Sequence, residues 1–258
     1  MRSSLCCKQL GRTSGGANIG LDQRAERAAI LLRDMEDADA EASGAGSAAS
    51  GRLRLNAPMA LGLSDLGAAL AAFAAAHPQI ELDIEFGDRH VDLLREGFDL
   101  GLRATTDPKD SSYTAQRIAS FALHVCASPG YVARCGRPRS PAELDAHTCY
   151  SYAYASAGAR WPLHVDGQTH VPIRPAGRAN STPFLKRLVL ADLGIAVLPD
   201  FVAGPEIDSG ALVELFPQVE RPALVLYAVY PARRLAPRKV AACVDFLKDW
   251  FSRMPARS

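Results

Sequence analysis

Residues 80–104, IELDIEFGDRHVDLLREGFDLGLRA, constrain the fold more than any other part of the chain. Ile80, Leu82, Ile84 and Phe86 alternate with Glu81, Asp83 and Glu85, the period of a half-buried strand, and Gly87-Asp88 breaks it. Val91, Leu94 and Arg95 follow at helical spacing between Asp88, a helix cap, and Gly97, a helix stop. Residues 98–102 then form a short apolar run. Two strands flanking so short a helix lie parallel, joined by a right-handed crossover. The chain is therefore an α/β protein at its centre.

The rest of the pattern extends this unit on both sides. Residues 52–57 read as a first strand and 58–62 as a loop into a helix that Ser64 caps, with Leu66, Leu70 and Phe73 on one face and His77-Pro78 at its end. The order β, α, β, α, β is half of an open parallel sheet. The apolar stretch in residues 116–128 is too long for one average strand. From Pro129 a second lobe begins: a helix starts at SPGY and another at Ser140-Pro141-Ala142-Glu143. Strands are expected at 148–154, 160–165 and 171–175, and a helix opens at Asn180-Ser181-Thr182-Pro183, runs through Leu193 and stops at Gly194. A buried strand (195–198), a further helix or turn from Pro199-Asp200, an apolar strand (223–229) returning to the first lobe, and an amphipathic closing helix (237–251) complete the chain.

Before the folded part, residues 1–20 are Gly/Ser-rich and without periodicity, and read as poorly ordered. In residues 21–42, Leu21, Ala25, Ala28, Leu32, Met35, Asp39 and Ala42 recur at spacings of four and three, the seam of a coiled coil. The pattern fits pairing with a second copy and a helix lying on its own domain equally well. Residues 43–50, SGAGSAAS, are a flexible linker. Their Gly-x-Gly-x-x-Ala precedes a strand instead of following one, which argues against nucleotide binding.

Composition narrows the function. The 29 basic and 28 acidic residues give a net charge of +1, so nucleic acid or membrane attraction by the whole chain has no electrostatic basis. MRSSLCCKQLGRTSGG has no apolar core of signal-peptide length, and no run reaches the ~20 apolar residues of a membrane span; a soluble, cytoplasmic protein is expected. The six cysteines, Cys6, Cys7, Cys126, Cys135, Cys149 and Cys243, lack CxxC spacing and read as reduced and structural. His77, His90, His124, His147, His164 and His170 include no i, i+4 pair, so no metal is expected, and neither is a cofactor. No Gly-x-Ser-x-Gly, HExxH or Walker loop is present, and the chain does not read as an enzyme. His124 either lines a cleft or is a satisfied buried histidine. Tyr150, Tyr152 and Tyr154 alternate, and read as packing on one strand face. Helix starts and strand ends at 57–64, 103–106 and 180–183 face one crevice if the parallel order holds. Their unpaired N–H groups, with the hydroxyls of Ser181 and Thr182, suit a carboxylate.

FGDRHVDLLREGFDLGLRAT (86–105), preceded by GRLRLNAP (51–58) and followed by CASPGYVARCGRPRSPAEL (126–144), LADLGIAVLPDF (190–201) and LYAVYPARR (226–234), closely resembles the effector-binding domain of LysR-type transcriptional regulators. Five segments in order carry the resemblance, which covers residues 21–251. It implies a two-lobed, periplasmic-binding-protein-like (type 2) fold with an N-terminal linker helix that dimerises: residues 1–20 a remnant, 21–50 the linker helix and linker, and 51–258 the effector domain. Its first lobe is expected at about 51–122 and 228–258, its second at about 123–227, with 116–128 crossing between them.

The resemblance places a small-molecule effector between the lobes, an anionic one being suited to Arg103 as counter-charge, with Pro58, Met59, Arg103, Thr105, Ser181 and Thr182 at the site. A homodimer or tetramer is implied, and a heterodimer with a full-length relative is a further arrangement. The family's winged helix-turn-helix has no counterpart in residues 1–20, which leaves direct DNA binding in doubt and dependent on a helix-turn-helix supplied otherwise; truncation, a misassigned start and genuine loss all remain open. A solute-binding protein of the same fold is the alternative reading.

Overall fold

The computed structural model of the chain describes residues 49–106, 113–231 and 236–254. The remnant expected at 1–20 and the pairing helix expected at 21–42 lie outside them.

A five-stranded sheet is built around β1 (Gly51–Ala57), whose Leu53, Leu55 and Ala57 are fully buried. β2 (Ile80–Phe86) runs parallel on one side, Gly51 opposite Ile80 and Ala57 opposite Phe86. β3 (Leu100–Thr105) runs parallel on the other, Leu55 opposite Leu100. The strand pair expected from residues 80–104 is thus parallel but not adjacent, because the apolar β1 takes the centre between them. The helix between them is one turn, α3 (Leu93–Glu96). Its cap is Asp92, whose Oδ1 accepts the Arg95 N–H at 3.2 Å, and Gly97 ends it with φ 71°. Asp88, expected as the cap, lies four residues too early and accepts the Met59 N–H at 3.2 Å instead.

Residues 58–62, expected as a loop, contain a helical turn, α1 (Met59–Gly62), ahead of α2 (Asp65–Ala76). Ser64 does not cap α2 through its side chain. Its hydroxyl donates back to the Ala60 and Leu61 carbonyls of the turn before it at 3.2 Å each. Leu66, Leu70 and Phe73 form the buried face, and Phe73 meets Phe246 of the closing helix α7 (Arg238–Ser252) edge-on at 5.4 Å.

β4 (Tyr113–Phe121) lies at the edge of this sheet and β5 (Leu123–Ala127) in the second, so the long apolar stretch is two strands that change sheet at Ala122. The Ala122 carbonyl accepts the Asp200 N–H at 2.9 Å, and Phe121 meets Phe201 edge-on at 5.0 Å, fixing the passage between sheets. The return is β12 (Leu224–Pro231), antiparallel to both β3 and β4. All of it belongs to the first sheet, so that sheet resumes at Leu224, ahead of the boundary expected near 228.

The second sheet runs β11 (Val213–Leu215), β5, β10 (Ile195–Pro199), β6 (Cys149–Tyr152) and β9 (Pro175–Ala179). β9, PAGRA, has no apolar alternation to announce it. The strands expected at 160–165 and 171–175 shorten to a two-residue ribbon, β7 (Arg160–Trp161) with β8 (Val171–Pro172). Ser128 caps α4 (Pro129–Cys135) through its hydroxyl, whereas Ser140 precedes a 3-10 turn (Pro141–Ala146) and makes no such bond. α5 (Thr182–Leu190) ends at a left-handed Asp192 (φ 59°) instead of running through Leu193 to Gly194. α6 (Asp200–Asp208) follows β10. Tyr131, Trp161, Leu163, Ile195 and Leu215 form this sheet's own core.

Candidate functional site

A cavity of about 770 Å³ lies between the two sheets. Of the six residues expected at the site, Pro58, Arg103, Thr105 and Thr182 line it, while Met59 and Ser181 do not. Ser181 is committed elsewhere: its hydroxyl accepts the Phe184 N–H at 3.3 Å as the α5 cap. Met59 is 41% exposed, and its N–H is bound to Asp88.

Arg103, on β3, lines the cavity. It stands opposite Tyr227 across the β3–β12 pair, so the two side chains share a sheet face, and both line the cavity. Nη1 of Arg103 donates to Asn56 Oδ1 at 2.6 Å and to the Leu102 carbonyl at 2.9 Å. Asn56 is 1% exposed and gives its own amide to the Glu85 carbonyl at 3.2 Å, which fixes its oxygen toward Arg103. Nη2 is buried and has no hydrogen-bond partner. Burial lowers the pKa of the guanidinium, with Glu96 and Tyr113 opposing from a distance. The missing side chain of Gly101 leaves it room: a Cβ there would lie 3.3 Å from the Arg103 guanidinium carbon.

The other charges at the cavity are either satisfied or exposed. Arg89 makes a bidentate pair with Glu96 at 2.7 and 3.1 Å. Arg160 is exposed and reaches the His170 carbonyl at 3.4 Å. Asp88 faces the cavity with its pKa raised by burial, a rise opposed by the Met59 N–H and the Tyr152 hydroxyl. Burial, together with the Asp88 charge, pushes the Tyr152 phenol up. Tyr152 lines the cavity as well. The strand stops there, so Tyr154 lies beyond it in a turn, meets Tyr152 edge-on at 6.0 Å and lines the cavity too. Alternation alone could not show where the strand would end. The aromatic lining is completed by Tyr113, Trp161 and Phe201, which no sequence pattern links to the site.

His124 does not line the cavity. Its Nδ1 lies 3.1 Å from Glu214 Oε1 and its Nε2 3.3 Å from Asp200 Oδ1, ionic contacts out of line for straight hydrogen bonds. The Cys126, Cys149 and Cys243 thiols are buried and unpaired, and burial pushes the latter two up to about 12. Among the described residues no three His, Cys, Asp or Glu converge as metal ligands, and no helix is long and apolar enough to cross a membrane.

The domain model described as LysR substrate binding domain matches residues 46–252. An uncharacterised HTH-type transcriptional regulator of Haemophilus influenzae is 34% identical over 216 residues, 83% of this chain and 75% of the relative. The regulator PtxR of Pseudomonas aeruginosa is 32% identical over 211 residues, 81% and 67% of the two. In structure, the regulatory domain of CrgA, a LysR-type regulator of Neisseria meningitidis, superposes with TM-score 0.68 at 27% identity, covering 78% of this chain and 98% of that one. A longer structure of CrgA gives 0.71 at 25% identity, covering 96% and 85%. The two-sheet architecture is the periplasmic-binding-protein-like type 2 fold of these regulatory domains. With the domain model spanning residues 46–252, this chain belongs to the LysR family of transcriptional regulators.

Proposed function

We propose that this chain is the effector-sensing part of a transcription regulator: a small, anionic metabolite binds between the two sheets, and the binding energy shifts the geometry of an oligomer. The observation that carries the reading is the cavity between the two sheets, with Arg103 on its lining held by the neutral amide of Asn56 and not by a carboxylate. A charge not neutralised by a carboxylate favours an anionic ligand beside it. Thr105 and Thr182 reach the same cavity from the two sides, and Pro58 closes it beside them. Met59 holds Asp88 through its N–H and Ser181 caps α5, so each supports the site without lining the cavity.

Chemistry on the ligand is no part of the proposal: the relatives are named as transcriptional regulators, and the protein works by binding. The oligomer is a homodimer or tetramer built through residues 21–42, in the cytoplasm. A heterodimer with a full-length relative would serve the same signal. DNA contact is assigned to a helix-turn-helix brought by such a partner or by sequence preceding this chain.

Calorimetry against a panel of metabolites, with Arg103→Gln, Ser181→Ala and Thr182→Ala variants, tests the site. A ligand whose affinity falls at least tenfold in Arg103→Gln, falls in Thr182→Ala and changes little in Ser181→Ala supports it. Binding untouched by all three moves the site elsewhere.

A further inference from the structure

We infer that the junction between the two sheets is a proton-operated hinge: a proton on His124 holds the cavity closed, and its loss lets the two lobes part. The device belongs to the frame of the cavity and works whatever the ligand.

The chain passes between the sheets twice, at Ala122 and between Leu215 and Leu224. One charged cluster stands at both passages. His124 lies two residues beyond Ala122, its Nδ1 3.1 Å from Glu214 Oε1 and its Nε2 3.3 Å from Asp200 Oδ1. Asp200 gives its N–H to the Ala122 carbonyl. Glu214, on β11, accepts from Arg221 at 2.6 Å, three residues ahead of the returning strand β12. The four side chains are only 11% to 22% exposed.

A neutral imidazole has one N–H, so its other nitrogen would turn a lone pair toward a carboxylate oxygen at this range. Only the imidazolium presents a positive edge to both. The charges agree: two carboxylates are balanced by Arg221 and a protonated His124, and a neutral His124 leaves a net negative charge in the cluster. Among the described residues, β10 sets the apolar Leu198 opposite His124, and Glu206 of α6 is bound to Lys186 of α5 at 2.5 Å. Arg137 is bound to the Glu214 carbonyl, and burial keeps the Cys126 thiol, farther along β5, neutral. The Glu214 contact raises the His124 pKa against burial, with Asp200 adding and Arg221 opposing, so the proton leaves above about pH 6.5.

The path to the cavity is short. Leu123 and Phe201, the chain neighbours of His124 and Asp200, line it, as do Pro199 and Leu224 at the same junction. Repulsion between an unprotonated ring and the two carboxylates therefore acts on the segments that hold the sheets together.

Acrylamide quenching of Trp161, which lines the cavity and is 3% exposed, reads the opening in the full chain without ligand. Trp250→Phe removes the other tryptophan, whose Nε1 has no hydrogen bond to lose. Between about pH 6 and about pH 9 the quenching constant should rise about two- to tenfold, the upper end matching the loss of one charge-assisted hydrogen bond. His124→Gln should show the high value throughout, and the rise should persist when His90→Gln and His170→Gln remove the histidines of the lining. The midpoint should move to lower pH in Glu214→Gln, a comparison that stands even if His124→Gln fails to fold. A constant independent of pH, a rise that survives His124→Gln or is lost with His90 and His170, or a midpoint unmoved in Glu214→Gln overturns the hinge and leaves the effector reading standing.

Discussion

Asn56 Oδ1 accepts a hydrogen bond from Arg103 Nη1 at 2.6 Å, so a buried guanidinium is held by a neutral amide and not by a carboxylate. The amide is itself fixed through its nitrogen to the Glu85 carbonyl, which ties β1 and β2 to the arginine on β3. Such a partner orients the charge without neutralising it. Arg103 also lines the cavity, and on the proposed reading it is the counter-charge for an anionic ligand.

The first prediction follows from that arrangement. Replacing Arg103 by Met removes an uncompensated buried charge, which offsets the loss of two hydrogen bonds and the exposed need of Asn56 Oδ1. We expect unfolding free energy within about 1 kcal/mol of the unaltered chain by urea titration, together with loss of ligand binding. A loss of roughly 3–5 kcal/mol would show instead that the arginine is structural.

Gly101 supplies the second. A Cβ at this position would lie 2.9 Å from a Leu93 methyl carbon and 3.3 Å from the Arg103 guanidinium carbon. Leu93 is buried, so Gly101→Ala should cost about 1–3 kcal/mol by overpacking. It should also weaken ligand binding by shifting Arg103. Urea unfolding and calorimetry on the same variant check both parts; a full-affinity variant would separate Gly101 from the site.

The cluster beneath the passage between sheets predicts a pH dependence. The contact with Glu214 raises the His124 pKa above the usual 6.5, against opposing burial; Asp200 adds to the rise and Arg221 subtracts from it. A raised folded value means that this contribution to stability is complete below about pH 6.5 and is lost as pH climbs through the folded pKa. For Glu214, burial alone would raise the pKa, but His124 and Arg221 bring it below 4.5, so its contribution is present above that value and lost as pH falls. Melting temperature should therefore be highest between roughly pH 4.5 and 6.5 and decline above, and His124→Gln should flatten the decline. Equal slopes in the two proteins would remove His124 from the account.

Residues 21–42 predict an assembly. Sedimentation of the full chain should give a whole multiple of 27.6 kDa, and a variant lacking residues 1–42 should contain fewer subunits. An unchanged number of subunits after deletion would place the contacts within the folded domain.

Much of the architecture could be read from periodicity, because strands such as β2 and helices such as α2 state their buried faces residue by residue. Five segments in order also carried the family. What escaped has physical causes. Asp92, not Asp88, caps α3 because a one-turn helix leaves no periodicity to locate its start. β9 is polar and small because it is an edge strand whose place is set by β6. The cavity's aromatic wall comes from both lobes, and no spacing in the chain announces that Tyr113, Tyr152 and Trp161 meet there. Ser181 looked like a ligand donor by type, yet a hydroxyl at a helix start is as readily used by the helix.

The most direct test is a crystal structure of the chain grown with the tightest-binding metabolite of the calorimetry panel. The ligand is expected between the two sheets, with an anionic group beside Arg103. A ligand seated outside this cavity, or one inside it that makes no contact with Arg103, would contradict the effector-site reading.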